Sequence, residues 1–122
     1  MREILFRGKG INDKEWRYGF YTEQQGYPYI TPDGVAMYEI DANTAGQYTG
    51  FVDKNGKKIF EGDIVCMDDW IPPCMQVAYA QGTFYLAEIE KPVKYYGDIY
   101  YLNHGGNPCA KVIGNIYDDL SY

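Results

Sequence analysis

Apolar and aromatic residues in this chain recur at every second position, in runs that Gly, Pro, Asn or Asp cut off within a few residues. A period of two sends successive side chains to opposite faces of a strand, and frequent turn residues fold such strands back on one another. Helical spacing is almost absent. The pattern therefore predicts antiparallel hairpins and excludes a helical bundle.

Ile4 and Phe6 fall on one face of an opening strand and Arg7 on the other. In the next run Trp16, Tyr18 and Phe20 face one way and Arg17, Gly19 and Tyr21 the other, with turn chemistry between the runs at Gly10 and Asn12-Asp13, so the two should pair. Residues 27–31 read as a short strand best placed at a sheet edge, because Pro28 donates no backbone hydrogen bond. Pro32-Asp33-Gly34 makes a turn, 35–40 continues as a strand, and 41–44 forms a short loop or a single helical turn.

The clearest unit is Gln47-Tyr48-Thr49-Gly50-Phe51-Val52, then Asp53-Lys54-Asn55-Gly56, then Lys57-Lys58-Ile59-Phe60. Asn-Gly between two strand-like runs predicts a tight hairpin whose turn residues take positive backbone angles. Glu61-Gly62-Asp63 interrupts the chain before Ile64-Val65-Cys66-Met67; Gly62 can adopt a conformation closed to other residues, and the Asp63 carboxylate can accept from nearby amides. Residues 68–73 form a loop around Pro72-Pro73, and 75–80 with 83–88 make a second hairpin around Gln81-Gly82. The spacing of Tyr95, Tyr96, Tyr100 and Tyr101 within 91–102 fits a helix face or a broken strand, with Gly97 against a continuous helix. Residues 103–108 read as an exposed loop, and 110–117 as a last strand. The expected fold is all-β: a single domain over 1–122, antiparallel hairpins forming a small barrel-like or complex β fold, with little helix.

Length and charge narrow the function. At 122 residues the chain suits one domain, and 17 acidic against 11 basic residues leave a net charge of -6, which disfavours generic binding to a phosphate backbone. The opening Ile4-Leu5-Phe6 is too short an apolar run for a secretion signal, and no stretch approaches the roughly 20 apolar residues that cross a bilayer. A soluble, cytoplasmic protein with no membrane partner is expected. Cys66, Cys74 and Cys109 are odd in number and lack a CxxC pair, which favours reduced, partly buried thiols over a disulfide framework.

With the strands in place, several motifs resemble the YopX family, small proteins carried by bacterial phages and prophages. They are Met1-Arg2-Glu3-Ile4-Leu5-Phe6-Arg7-Gly8-Lys9, then Glu15-Trp16-Arg17-Tyr18-Gly19, the long run from Gln47 through Asp53-Lys54-Asn55-Gly56 to Glu61-Gly62-Asp63-Ile64-Val65, and the ending Val112-Ile113-Gly114-Asn115-Ile116-Tyr117-Asp118. Phe51 stands where the family more often has Leu, and Lys58 where an acidic residue is common. The loop at 70–74 and the tyrosine-rich 91–103 segment match no family pattern. The resemblance implies an all-β fold and a phage or prophage source, and it carries no activity.

Four constellations are candidates for chemistry. Glu61, Asp63, Asp68 and Asp69 offer oxygens for Mg²⁺ or Ca²⁺, but their spacing fits no loop of known geometry, and turn-polarising or solvating roles explain them as well. Cys66, Cys74, His104 and Cys109 are zinc-ligand types at the wrong spacing. His104, the only histidine, stands beside Gly105-Gly106 and is the natural acid–base group near neutral pH, although loop composition alone accounts for it. Lys54, Lys57 and Lys58 surround the Asn55-Gly56 turn near Tyr48 and Phe51, a pattern that suits either stacking of single-stranded bases over a charged groove or charge that guards strand edges. No nucleophile elbow, phosphate loop, dinucleotide fingerprint or HExxH pair occurs.

The most unusual feature is the tyrosine run. Tyr95, Tyr96, Tyr100 and Tyr101 can bury large rigid area against a partner or pack in the core. The expected function is a phage accessory protein that binds protein, self-associates and is not an enzyme, with no metal and no cofactor; the alternatives are a weak nucleic-acid binder through Lys54, Lys57 and Lys58, or a metal-dependent enzyme with a dispersed site.

Overall fold

The computed structural model describes residues 4–68, 70–71, 73–89, 95–104 and 107–118, with the backbone alone for Tyr96, Tyr101, Asn103, His104 and Asn107. The fold is all-β, as the alternation predicts, and the chain divides into two compact units, Met1–Tyr48 and Thr49–Tyr122.

In the first unit the expected hairpin forms: β1 (Phe6–Lys9) runs antiparallel to β2 (Trp16–Gln24), with Phe6 opposite Gly19 and Arg7 opposite Tyr18. β2 continues into β3 (Tyr27–Thr31), which meets the two-residue β4 (Tyr38–Glu39). Most of the strand expected over 35–40 is therefore loop. Asp33 explains why: its carboxylate accepts from the N–H groups of Val35 (2.8 Å) and Ala36 (2.9 Å), which holds them away from a ladder. β3 is not the edge strand that Pro28 suggested. The neighbouring chain uses the proline's carbonyl, which accepts from Ile40 at 3.1 Å, so no donor is missed. Ala42–Thr44 makes the single helical turn, a 3₁₀ turn capped by the Asp41 side chain. β5 (Gly46–Val52) begins in this unit, where Gly46 and Gln47 pair with Arg7 and Phe6.

The face of this sheet that carries Gly8, Gly19, Tyr21 and Ile30 encloses the fully buried Ile30 and the nearly buried Ile40. Gly8 belongs there because a Cβ would strike the Ile40 side chain. On the opposite face Arg7 is buried, its guanidinium 4.6 Å from the centre of the Trp16 ring, while Tyr18 and Phe20 remain exposed.

In the second unit β5 is followed by β6 (Lys58–Phe60), β7 (Asp63–Cys66), β8 (Cys74–Ala80), β9 (Thr83–Ala87) and β10 (Tyr95–Asp98). A 3₁₀ turn, Ile99–Leu102, leads to the short β11 (Asn103–His104) and β12 (Asn107–Pro108), and β13 (Lys111–Asn115) closes the series. The described part of the ambiguous 91–102 segment is thus a strand followed by a 3₁₀ turn, while residues 91–94 lie outside the described residues. Within 103–108, expected to be loop, the backbone forms a two-rung antiparallel ladder.

The five-stranded order is β10-β9-β8-β7-β13. It stays open among the described residues rather than closing into the barrel-like form. The turn after β5 is tied to the chain at and just before β13: Val112 N–H donates to Asp53 Oδ2 at 3.0 Å, and Lys54 N–H to the Ala110 carbonyl at 2.9 Å. The core is a ten-residue cluster around Ile59, Val65, Val77, Leu86, Leu102 and Ala110, each no more than 1% exposed. Fully burying one of its Ile, Val or Leu side chains stabilises by about 1.5–3 kcal/mol. Gln76, buried among the strands, donates to the carbonyls of Glu88 (2.9 Å) and Ile89 (2.8 Å) and so is satisfied where β9 ends. Among the described residues no helix is long and apolar enough to cross a membrane.

Candidate functional site

The tyrosine surface is assembled by β9 and β10. The predicted hairpin at Gln81-Gly82 is present, with positive φ at both residues (53° and 80°), the requirement of a two-residue turn that matches strand twist. Its register sets Ala80 opposite Thr83 and Ala78 opposite Tyr85, and β10 then brings Tyr95 opposite Ala87 and Asp98 opposite Tyr85. The small alanines leave room beside the rings. Tyr85 and Tyr95 lie with centroids 6.1 Å apart, and the Tyr95 hydroxyl donates to Asp98 Oδ1 at 2.8 Å. With Ala80 and Thr83 they line an open cleft of about 230 Å³.

Of the four tyrosines singled out in the sequence, Tyr95 is 58% exposed and Tyr100 is 74% exposed; the side chains of Tyr96 and Tyr101 lie outside the described residues. The exposed Tyr100 ring meets Phe51 edge-on at 5.6 Å, so it stands with β5 and not with the Tyr85–Tyr95 pair. Tyr85 was missed from sequence. The alternation over 83–88 and the turn at Gln81-Gly82 contain its register, so its position next to β10 was the only missing step.

The basic hairpin has a different turn from the one Asn-Gly suggested. Of the turn residues Asp53 to Gly56, only Gly56 takes a positive φ (83°). Gly56 N–H donates to Asp53 O at 2.9 Å and Asp53 N–H to Lys57 O at 2.7 Å, the pattern of a type I turn followed by a left-handed residue. Asp53 dictates the difference. Its side chain, 2% exposed, accepts from the backbone of Asn55 (2.8 Å), Lys57 (2.9 Å) and Val112 (3.0 Å). Burial alone would raise its pKa, but the Val112, Lys57 and Asn55 donors outweigh that and, with the nearby Lys57 charge, hold the carboxyl below the usual range. Lys54, Lys57 and Lys58 are all exposed. Lys54 shares a cavity of about 380 Å³ with Lys111, Asp68, Met67, Cys66 and Cys109.

Among the described residues, the carboxylates proposed for a metal do not form a group that could hold one. Asp63, 1% exposed, accepts from Phe60 N–H at 2.8 Å, the turn-polarising role, while Asp68 is exposed. Asp69 lies outside the described residues. No group of three or more His, Cys, Asp or Glu side chains that could hold a metal occurs among the described residues.

The cysteines correct the expectation of reduced thiols. β7 and β8 pair with Cys66 directly opposite Cys74, Cα atoms 4.1 Å apart, and the two are joined in a disulfide. The sequence spacing does not reveal that these two strands are paired neighbours. Two of the four proposed zinc ligands are therefore bonded to each other. Cys109 donates to the Leu102 carbonyl at 3.1 Å, and the His104 side chain lies outside the described residues. A family model described as YopX protein matches residues 5–120, and no curated protein matches the chain.

Proposed function

The chain belongs to the YopX family, and from that premise we propose that it is a phage or prophage accessory protein of the bacterial cytoplasm, without catalytic activity of its own, that binds protein and associates with a second copy of itself. The observation that carries the reading is the exposed Tyr95, paired with Tyr85, on the strand that ends the sheet order. An end strand offers backbone groups to another chain, and two rigid rings supply contact area at small entropic cost. Light scattering across a concentration series is expected to show an assembly larger than the monomer. Tyr95→Ser should weaken it by about tenfold or more, the effect of losing one strong contact. A strict monomer together with an empty affinity capture from host lysate would count against the reading.

One arrangement favours a second reading. Phe51, three residues before Lys54, forms an aromatic pair with Tyr100, and Lys57 and Lys58 follow Lys54 on the same hairpin. Cations beside aromatic rings bind single strands by stacking bases along a charged groove. Salt-dependent binding to an oligonucleotide, lost in a Lys54, Lys57 and Lys58 triple alanine variant, would select it.

A further inference from the structure

β7 sets Cys66 between two neighbours on one side of its sheet. Cys74 lies directly opposite on β8 and is bonded to it; Lys111 lies directly opposite on β13, two residues after Cys109. Residues opposite one another in an antiparallel pair project to the same face, and residues two apart on one chain tend to share that face. The 380 Å³ cavity bears this out, since Cys66 and Cys109 both line it, whereas Cys74 does not. Cys109 carries a thiol. Cys109 and one cysteine of the disulfide thus line a common space, with Lys54 contributed by the β5–β6 turn, Lys111 by β13, and Asp68 by the segment after β7.

We propose that Cys109 exchanges with the Cys66–Cys74 disulfide by attack on Cys66, so that the covalent tether can move from the β7–β8 pair to Cys66 and Cys109. The Cys109 thiol gives its proton to solvent, and its sulfur forms a bond to Cys66 Sγ. The Cys66–Cys74 bond breaks, Cys74 leaves as a thiolate and takes up a proton. One disulfide and one thiol are present before and after, so no oxidant or reductant is required. The cavity selects Cys66 as the sulfur attacked. The exchange frees residues 67–73 from their short covalent loop, and with them Trp70, whose ring packs against the hydrophobic core.

In the resting state the thiol is held protonated: burial pushes its pKa up, and it donates to the Leu102 carbonyl. Exchange should therefore accelerate as pH rises, with the lysines favouring the thiolate and Asp68 opposing it.

The test uses the wild-type chain, purified without reductant and held at pH 7 and at pH 9. Each sample is then quenched with a thiol-alkylating reagent in denaturant, and the labelled cysteine is mapped by mass spectrometry of a non-reducing digest. The expected result is label on Cys109 at first, with label on Cys74 and a Cys66–Cys109 linked peptide appearing faster at pH 9. Label confined to Cys109 at both pH values overturns the proposal, as does label on all three cysteines. Label on Cys66 with a Cys74–Cys109 peptide overturns the assignment of the attacked sulfur. Cys74→Ser treated with oxidised glutathione should also form the Cys66–Cys109 bond, and Cys66→Ser should form Cys74–Cys109 at least tenfold more slowly; equal rates overturn it.

Discussion

The first unit fully buries few apolar side chains: Ile30 and Ile40 lie at 0% and 1% exposure, while Tyr18 and Phe20 on the strand between them and β1 remain 46% and 59% exposed. The second unit builds a ten-residue cluster from strands written in the same alternating pattern. Buried polar side chains are tied to backbone in both units: Thr31 and Thr44 in the first by hydrogen bonds of 2.7–2.9 Å, and Asp53, Asp63 and Gln76 in the second by hydrogen bonds of 2.8–3.0 Å. The contrast teaches that alternation marks two faces without saying which is covered. What a face packs against decides that, and the second unit supplies more covering side chains.

Core truncation is the strongest way to break this comparison. Leu86→Ala should cost about 2–5 kcal/mol, towards the upper end because a dense cluster relaxes little into the space left, and Ile30→Ala should cost less. Urea unfolding of both variants checks it, and an equal or larger loss at Ile30 would end the claimed difference in core density. Next is Asp53→Ala, which strips the acceptor from three backbone N–H groups, one of them on β13; a loss on the order of 3 kcal/mol follows from about 1 kcal/mol or more for each. The same carboxyl produces an acid effect. Its folded pKa lies below the unfolded value of about 3.9, so its contribution is complete above that pH and is lost as pH falls through the folded pKa. Asp53→Asn should flatten this acid limb in a pH series of melting temperatures.

A pair of glycines in the second unit then separates packing from backbone. Gly62 and Gly56 both hold positive φ (91° and 83°), but a Cβ at Gly62 meets the Tyr117 ring at 2.6 Å, and at Gly56 it meets open space. Gly56→Ala should cost about 1–2 kcal/mol from the backbone alone, and Gly62→Ala more, because the ring must also move. Equal losses would mean that the Tyr117 contact contributes nothing. The smallest effect belongs to the exposed face of the first unit. Phe20→Ser should change stability by no more than about 0.5 kcal/mol and leave self-association as in wild type. A monomer on that substitution would move the interaction surface from β10 to β2.

Local chemistry made the hairpins legible. The alternation of β1 and β2, the Gln81-Gly82 turn, the break at Glu61-Gly62-Asp63 and the helical turn at Ala42–Thr44 need only neighbouring residues, and each is present. Two failures involve a distant partner, whereas the loss of most of the 35–40 strand is local, set by the Asp33 side chain. Asn55-Gly56 took another turn type because Asp53 also reaches Val112, 59 residues away. Pro28 lies inside the sheet because Ile40 uses its carbonyl. The candidate surface was half legible: Tyr95 and Tyr100 stood out by composition, but their separation, and the pairing of Tyr95 with Tyr85, follow from strand order.

The order of residues by itself determined an all-β chain, its main reversals and its family, because strand alternation and turn propensity act over a few residues and the long motif from Gln47 to Val65 is specific. The tertiary structure alone decided which faces are covered, that the sheet stays open among the described residues, and that Cys66 meets Cys74 with Cys109 in the same cavity. Those outcomes depend on registers between separate strands, and a register is set by the whole set of buried contacts, which no local run of residues contains.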